Sequence, residues 1–180
     1  NEALKIINKK EGDYFPELAQ LLKLSNLLRK ERLRNGSLDF SIPEPEFTFD
    51  DQGVPITIRE KKVLKSHHMI EEFMLLANRI VASEYGQKFK QFQYRCHAEP
   101  PAEKLDSLNK LLYRLDNTLS RIKNWHSLFT LINNAKSRRL KYIITNLALR
   151  ALPKAKYEVK NKKHYGLAFD SYCHFTSPIR

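Results

Sequence analysis

The feature that most constrains this chain is a change in hydrophobic period, made twice. Between Glu17 and Leu28, the residues Leu18, Leu21, Leu22, Leu24, Leu27 and Leu28 recur at helical spacing. From Leu38 the period drops to two. Leu38, Phe40 and Ile42 alternate with polar residues, then Phe47 and Phe49, then Ile56 and Ile58. Alternation sends successive side chains to opposite faces of a strand. Helical spacing returns from Ser66 to about Tyr85. Ser66 is the expected cap there, and Ile70, Phe73, Met74, Ala77, Ile80 and Val81 the expected buried stripe. Asn35-Gly36 punctuates the first change, and Asp50-Asp51-Gln52-Gly53 is turn chemistry inside the strand region. Two or three short antiparallel strands are predicted, with Pro43 and Pro45 placing part of them at an edge or bulge.

Helical patterning dominates the second half of the chain. Pro100-Pro101 precedes a predicted helix near Glu103 to Leu115. Two more are expected near Trp125 to Asn133 and Lys136 to Leu152, the latter halted by Pro153. The chain alternates once more around Tyr172 to Phe175, which reads as a strand. Strand runs mixed with helix runs, without a regular βαβ series, give an α+β (mixed α/β) class. The 180 residues are 42% hydrophobic, enough to build one core. No apolar run is long enough to span a bilayer, and the opening Asn1-Glu2-Ala3-Leu4-Lys5 has no leader pattern. Cys96 and Cys173 are too few for a disulfide scaffold, so a reducing cytoplasm is the expected setting.

The formal charge is +12, and nearly all of the excess lies between Ser120 and His164. Arg121, Lys123, Lys136, Arg138, Arg139, Lys141, Arg150, Lys154, Lys156, Lys160, Lys162 and Lys163 fall there, opposed within the segment only by Glu158. A concentrated positive field attracts polyanions through counterion release, and RNA is the evident candidate. A solvated basic surface with no partner is the alternative on charge alone. Glycine loops of the GxxxxGK[ST] or GxGxxG type are absent, as are HExxH and paired CxxC. His67, His68, Glu71 and Glu72 share one helix at a spacing that matches no metal-ligand set. Cys96-His97 and Cys173-His174 read as buried structural cysteines beside histidines, because adjacent residues rarely orient as nucleophile and base.

Five ordered elements remain: Arg34-Asn35-Gly36-Ser37-Leu38-Asp39-Phe40; Met69-Ile70-Glu71-Glu72-Phe73-Met74-Leu75-Leu76-Ala77-Asn78; Tyr94-Arg95-Cys96-His97-Ala98-Glu99-Pro100-Pro101; Leu149-Arg150 with Ala155-Lys156-Tyr157; and His164-Tyr165-Gly166-Leu167-Ala168-Phe169, continued by Tyr172-Cys173-His174-Phe175-Thr176-Ser177-Pro178-Ile179-Arg180. In this order they closely resemble the RNB catalytic domain of RNase II, RNase R and the Dis3-like exonucleases. Tyr165-Gly166-Leu167-Ala168 and Phe175-Thr176 are closer to RNase R. The resemblance covers essentially the whole chain. It implies the C-terminal portion, residues 1–180, of a single RNB domain, without the family's OB-type and S1 domains.

What the resemblance implies is a processive, hydrolytic 3′→5′ exoribonuclease acting on single-stranded RNA with Mg²⁺. Arg180 matches the catalytic arginine of the TSPIR ending, whose guanidinium suits a phosphorane-like transition state. Glu71 matches a glutamate facing the terminal nucleotide, where a carboxylate can accept from the 2′-OH. Neighbours on a helix differ by about 100°, so only one of Glu71 and Glu72 faces such a site. Phe40 matches an aromatic that stacks on the last bases, and it also fits a buried strand face. His174 is a candidate for the RNA channel, as are Arg138 and Arg139 as phosphate contacts. The family's aspartate cluster does not occur; Asp50-Asp51 is a doublet in a predicted turn. Two-metal hydrolysis needs several converging carboxylates. The expectation is therefore a chain with no metal ligands of its own, inactive by itself and joined to the rest of its parent polypeptide. The alternative is a catalytically inactive RNB-fold protein that retains RNA.

Overall fold

Pro16 fixes φ at the start of a helix without wasting a needed N–H, and the chain uses it that way. The computed structural model describes residues 2–38 and 44–177. A short helix α1 (Glu2–Lys9) leads into α2 (Phe15–Arg34), which is longer at both ends than the leucine pattern indicates. The Asn35 N–H reaches Glu31 O at 2.9 Å, and Gly36 takes φ 94°, a left-handed turn that glycine adopts without steric cost. The chain thereby folds back at Ser37 and Leu38.

The alternating segment makes a hairpin of β1 (Pro45–Phe49) and β2 (Pro55–Glu60), antiparallel, with Phe47 opposite Ile58 and Thr48 opposite Thr57. Asp50 Oδ1 accepts from the N–H groups of Gln52 at 2.9 Å and Val54 at 2.8 Å, which closes the turn. The register shifts between Thr48 and Phe49, whereas Pro45, the expected edge or bulge position, pairs in register with Glu60; Pro43 lies outside the described residues. The strand expected over Leu38 to Ile42 falls largely outside the described residues.

Helix α3 (Lys65–Tyr85) begins one residue before the expected cap. Leu64 is the N-cap residue, its N–H directed at His67 Nδ1 at 3.4 Å, and Ser66 is buried in the first turn. The buried stripe also differs from the apolar pattern. Ser66, Met69, Glu72, Leu75, Asn78 and Ala82 are buried, while Ile70 and Ile80 are exposed. The reason is that Glu72 and Asn78 each find a full set of partners on this face, so polar side chains occupy positions that hydrophobicity alone assigns elsewhere.

Two three-residue strands, β3 (Tyr94–Cys96) and β4 (Lys156–Glu158), pair antiparallel with Arg95 opposite Tyr157. Strands this short leave no periodic trace. The strand expected at Tyr172 to Phe175 is irregular backbone instead. Tyr172 and Cys173 are buried one after the other, so burial there does not follow a period of two.

Between β3 and β4 stand α4 (Ala102–Leu115), α5 (Trp125–Asn133) and α6 (Arg138–Ala151), close to the predicted bounds. Asn124 caps α5 by accepting from Ser127 N–H at 2.7 Å; Ser137 caps α6 through Leu140 N–H at 3.1 Å. These helices bury Leu108, Leu112, Ile122, Leu128, Ile132, Ile144 and Ala148 in one core. Two smaller clusters lie under α3: Ala82, Tyr94, Cys96 and Cys173; and Leu75, Phe169 and Tyr172. The class is α+β. Among the described residues no helix is long and apolar enough to cross a membrane.

Leu128 is fully buried, so Leu128→Ala should cost about 2–5 kcal/mol in urea unfolding. Leu111→Ala, on the exposed side of α4, should change stability by less than about 0.5 kcal/mol.

Candidate functional site

The first, second and last of the five motif elements meet around α3. The junction begins with a buried ion pair. Arg32 of α2 donates to Glu72 of α3 through Nη2 to Oε1 at 2.5 Å and Nε to Oε2 at 3.2 Å. Their side chains are only 5% and 3% exposed. Arg32 Nη1 donates to Ser37 Oγ at 2.7 Å, and Ser37 Oγ donates to Gly166 O at 3.3 Å. Leu38 N–H adds a backbone bond to the same carbonyl at 2.8 Å. The segment leading to Phe40 is thus tied to the one leading to Arg180, with Glu72 as the buried base of the tie.

Asn78, less than two turns further along α3, holds the other end. Its Oδ1 accepts from Phe175 N–H at 3.0 Å, Thr176 N–H at 2.8 Å and Thr176 Oγ1 at 3.1 Å. Its Nδ2 donates to Tyr172 Oη at 3.1 Å. Cys173 Sγ donates to the Asn78 carbonyl at 3.3 Å. Burial pushes the Cys173 thiol pKa up, as a structural cysteine requires.

A row of rings lines the same segment. Edge-to-face contacts run from His97 to His164 (centroids 5.2 Å), His164 to Tyr172 (5.3 Å), Tyr172 to His174 (5.6 Å) and His174 to Tyr157 (5.6 Å). Arg95 lies over the Tyr157 ring at 4.6 Å. His97 donates from Nε2 to Pro153 O at 2.8 Å, because a carbonyl only accepts, and its bare Nδ1 accepts from Gly166 N–H at 3.0 Å. A Cβ on Gly166 would stand 2.7 Å from that nitrogen, so only glycine lets the backbone approach. Burial lowers the pKa of all three histidines. For His164 burial, then His97, brings it to about 4. For His97 and His174 burial leads and Arg95 contributes.

The remaining sequence candidates are spread more widely. Glu71 sits partly exposed on α3, with Oε2 3.3 Å from His68 Nδ1. Arg29 donates to that same Nδ1 at 2.9 Å, and a guanidinium is never an acceptor. His68 therefore stands between the Arg29 guanidinium and the partly exposed Glu71 carboxylate. His174 is partly buried, with Tyr157 Oη at 2.7 Å from its Nδ1. Arg138 and Arg139 open α6 on an exposed face, and Arg138 is paired with Glu60 of the hairpin. The bonds that join the motifs do not run through either arginine. Phe40 and Arg180 lie outside the described residues. The basic segment is partly neutralised from elsewhere in the chain: Arg121 meets Asp106 and Lys163 meets Asp170. Among the described residues no three His, Cys, Asp or Glu side chains gather as a metal-binding group.

The family model for the RNB domain matches residues 1–180. The chain belongs to the RNB domain family. It is 35% identical to ribonuclease R of Aquifex aeolicus, across 100% of this chain and 27% of that protein. It is also 35% identical to the human exosome complex exonuclease RRP44, across 93% of this chain and 18% of that protein. Among solved structures, Mycoplasma genitalium RNase R in complex with ribose methylated single-stranded RNA superposes with a TM-score of 0.86 at 29% identity, over 99% of this chain and 29% of that one. The chain thus spans roughly a quarter or less of the curated relatives' length.

Within this RNB chain, sequence reasoning missed Asn78 and Arg32. Asn78 carried a signal, a lone amide inside an apolar helix. Arg32 carried none, being one cation in a basic stretch.

Glu72→Gln should destabilise the chain by about 3–5 kcal/mol by leaving Arg32 buried without its counter-charge. Glu71→Gln should leave the denaturation midpoint nearly unchanged. The neutral histidines set an acid limit. Their folded pKa values lie below the usual 6.5, so their stabilising contribution is complete above that pH and is lost as pH falls toward about 4. Thermal melts should fall across that window. His164→Asn, which keeps an acceptor near the Leu167 N–H, should make the fall shallower.

Proposed function

We propose that this chain is the C-terminal portion of the catalytic domain of a processive, hydrolytic 3′→5′ exoribonuclease that releases 5′-nucleotides from single-stranded RNA. The observation that carries the reading is the convergence on α3 of the segments that lead to Phe40 and Arg180, beside Glu71. Relatives named ribonuclease R and the RNA-bound neighbour support the substrate class.

In this reading each side chain has one task. Phe40 stacks on a terminal base, a contact of about 1–3 kcal/mol that tolerates any sequence. Glu71, partly exposed on α3 beside His68, accepts from a ribose hydroxyl and favours RNA over DNA. Arg180 donates to the non-bridging oxygens of the scissile phosphate as charge builds there. His174 lines the strand's path beside Tyr157, and Arg138 and Arg139 meet phosphates further out. Mg²⁺, when bound to the intact parent, supplies an activated water. No three acidic, histidine or cysteine side chains gather among the described residues, and the sequence lacks the family's aspartate cluster, so this reading assigns the ion's ligands to the rest of the parent. This chain by itself is accordingly inactive. The parent works in the cytoplasm, with no membrane partner.

In the intact parent, Arg180→Ala should slow single-turnover cleavage by about 10²–10³-fold while RNA affinity changes little. Equal losses in both would contradict the transition-state role. Phe40→Ala should weaken grip on short oligomers and alter the end-product length. A parent that binds single-stranded RNA and never shortens it would instead establish the inactive RNA-binding alternative.

A further inference from the structure

We propose that Asn78 is a positioning residue for the phosphate-site arginine: its side-chain amide fixes where the chain departs toward Arg180. The inference rests on the exoribonuclease reading above. Asn78 is 1% exposed in the middle of α3, where an amide is costly to bury unless bonded. An apolar residue would serve a plain helix contact at less cost. Instead each side-chain bond of Asn78 goes to residues 172–176: Tyr172 Oη, the Phe175 and Thr176 N–H groups, and Thr176 Oγ1. Consecutive N–H donors aimed at one oxygen fix the backbone direction at Thr176, which a single contact would not.

The geometry also separates the tasks of α3. Glu72 holds the segment that leads to Phe40, through Arg32 and Ser37. Asn78 holds the segment that leads to Arg180. One helix therefore holds both the Ser37–Leu38 segment and the Phe175–Thr176 segment. Arg180 follows Thr176 by four residues, a reach of at most about 14 Å. A shift at Thr176 passes along so short a tether. Misplacement of a reacting group by about 1 Å lowers rate by about 10²-fold.

The test compares the intact parent as wild type, Asn78→Ala, Asn78→Asp, Thr176→Val and Arg180→Ala, measuring single-turnover cleavage, RNA Kd and amide exchange at residues 175 and 176. Asn78→Ala should lower the cleavage rate by about 10²-fold, leave Kd unchanged and speed exchange at both amides. Asn78→Asp retains the acceptor for these donors and should restore most of the rate. Thr176→Val removes only the hydroxyl donor and should lower the rate with an unchanged melting temperature, which decides the matter if Asn78→Ala fails to fold. A folded Asn78→Ala that cleaves at the wild-type rate overturns the inference alone, as do parallel losses in rate and Kd, or an Asp variant no better than Ala. A wild-type parent that never shortens RNA overturns the exoribonuclease reading and the inference with it.

Discussion

The buried Arg32–Glu72 pair is the constraint on which the site depends. Removing two charges from water costs several kcal/mol, and only close geometry with further hydrogen bonds offsets it. Here the guanidinium meets both carboxylate oxygens and still reaches Ser37. Such a pair adds little net stability over a well-packed apolar contact. It does specify one arrangement, because any slide of α2 along α3 would leave a buried charge unpaired. Ser37 passes that register to Gly166, and the site is assembled from the motifs so joined.

Polar and aromatic groups divide the remaining work. The helical layer of α4 to α6 has an ordinary aliphatic core. Beneath α3 the packing is mixed, with rings, thiols and histidines alongside Leu75 and Leu167. Among the described residues no buried side-chain nitrogen or oxygen lacks a partner. A satisfied polar core is directional, and it holds the segments joined at α3 in one arrangement. The same choice places three histidines where burial lowers their pKa: His97, His164 and His174.

Legibility in the sequence tracked the physics of each element. The α4 to α6 helices were readable because proline and capping residues punctuate them. The hairpin was readable from Phe47, Phe49, Ile56 and Ile58 with Asp50-Gly53 between. The stripe on α3 was not, because burial there is decided by distant partners: Glu72 by Arg32, and Asn78 by Thr176. Short strands β3 and β4 carry too few residues for a period. Helical periodicity put Glu71 and Glu72 on one helix but could not say which of the two is sealed; the ion pair with Arg32 decides that it is Glu72. Phe40 and Arg180 lie outside the described residues, so their roles rest on the segments that lead to them.

The central claim is that one face of α3 gathers the elements that receive an RNA 3′ end. Photocrosslinking is the direct measurement: the intact parent is loaded with RNA carrying a 3′-terminal 4-thiouridine, irradiated, digested and read by mass spectrometry. Adducts on peptides containing Phe40, Glu71 or residues 174–180 are the result this account predicts. Adducts confined to the exposed leucines of α2, or to the β1–β2 hairpin, with none on those peptides, would contradict it.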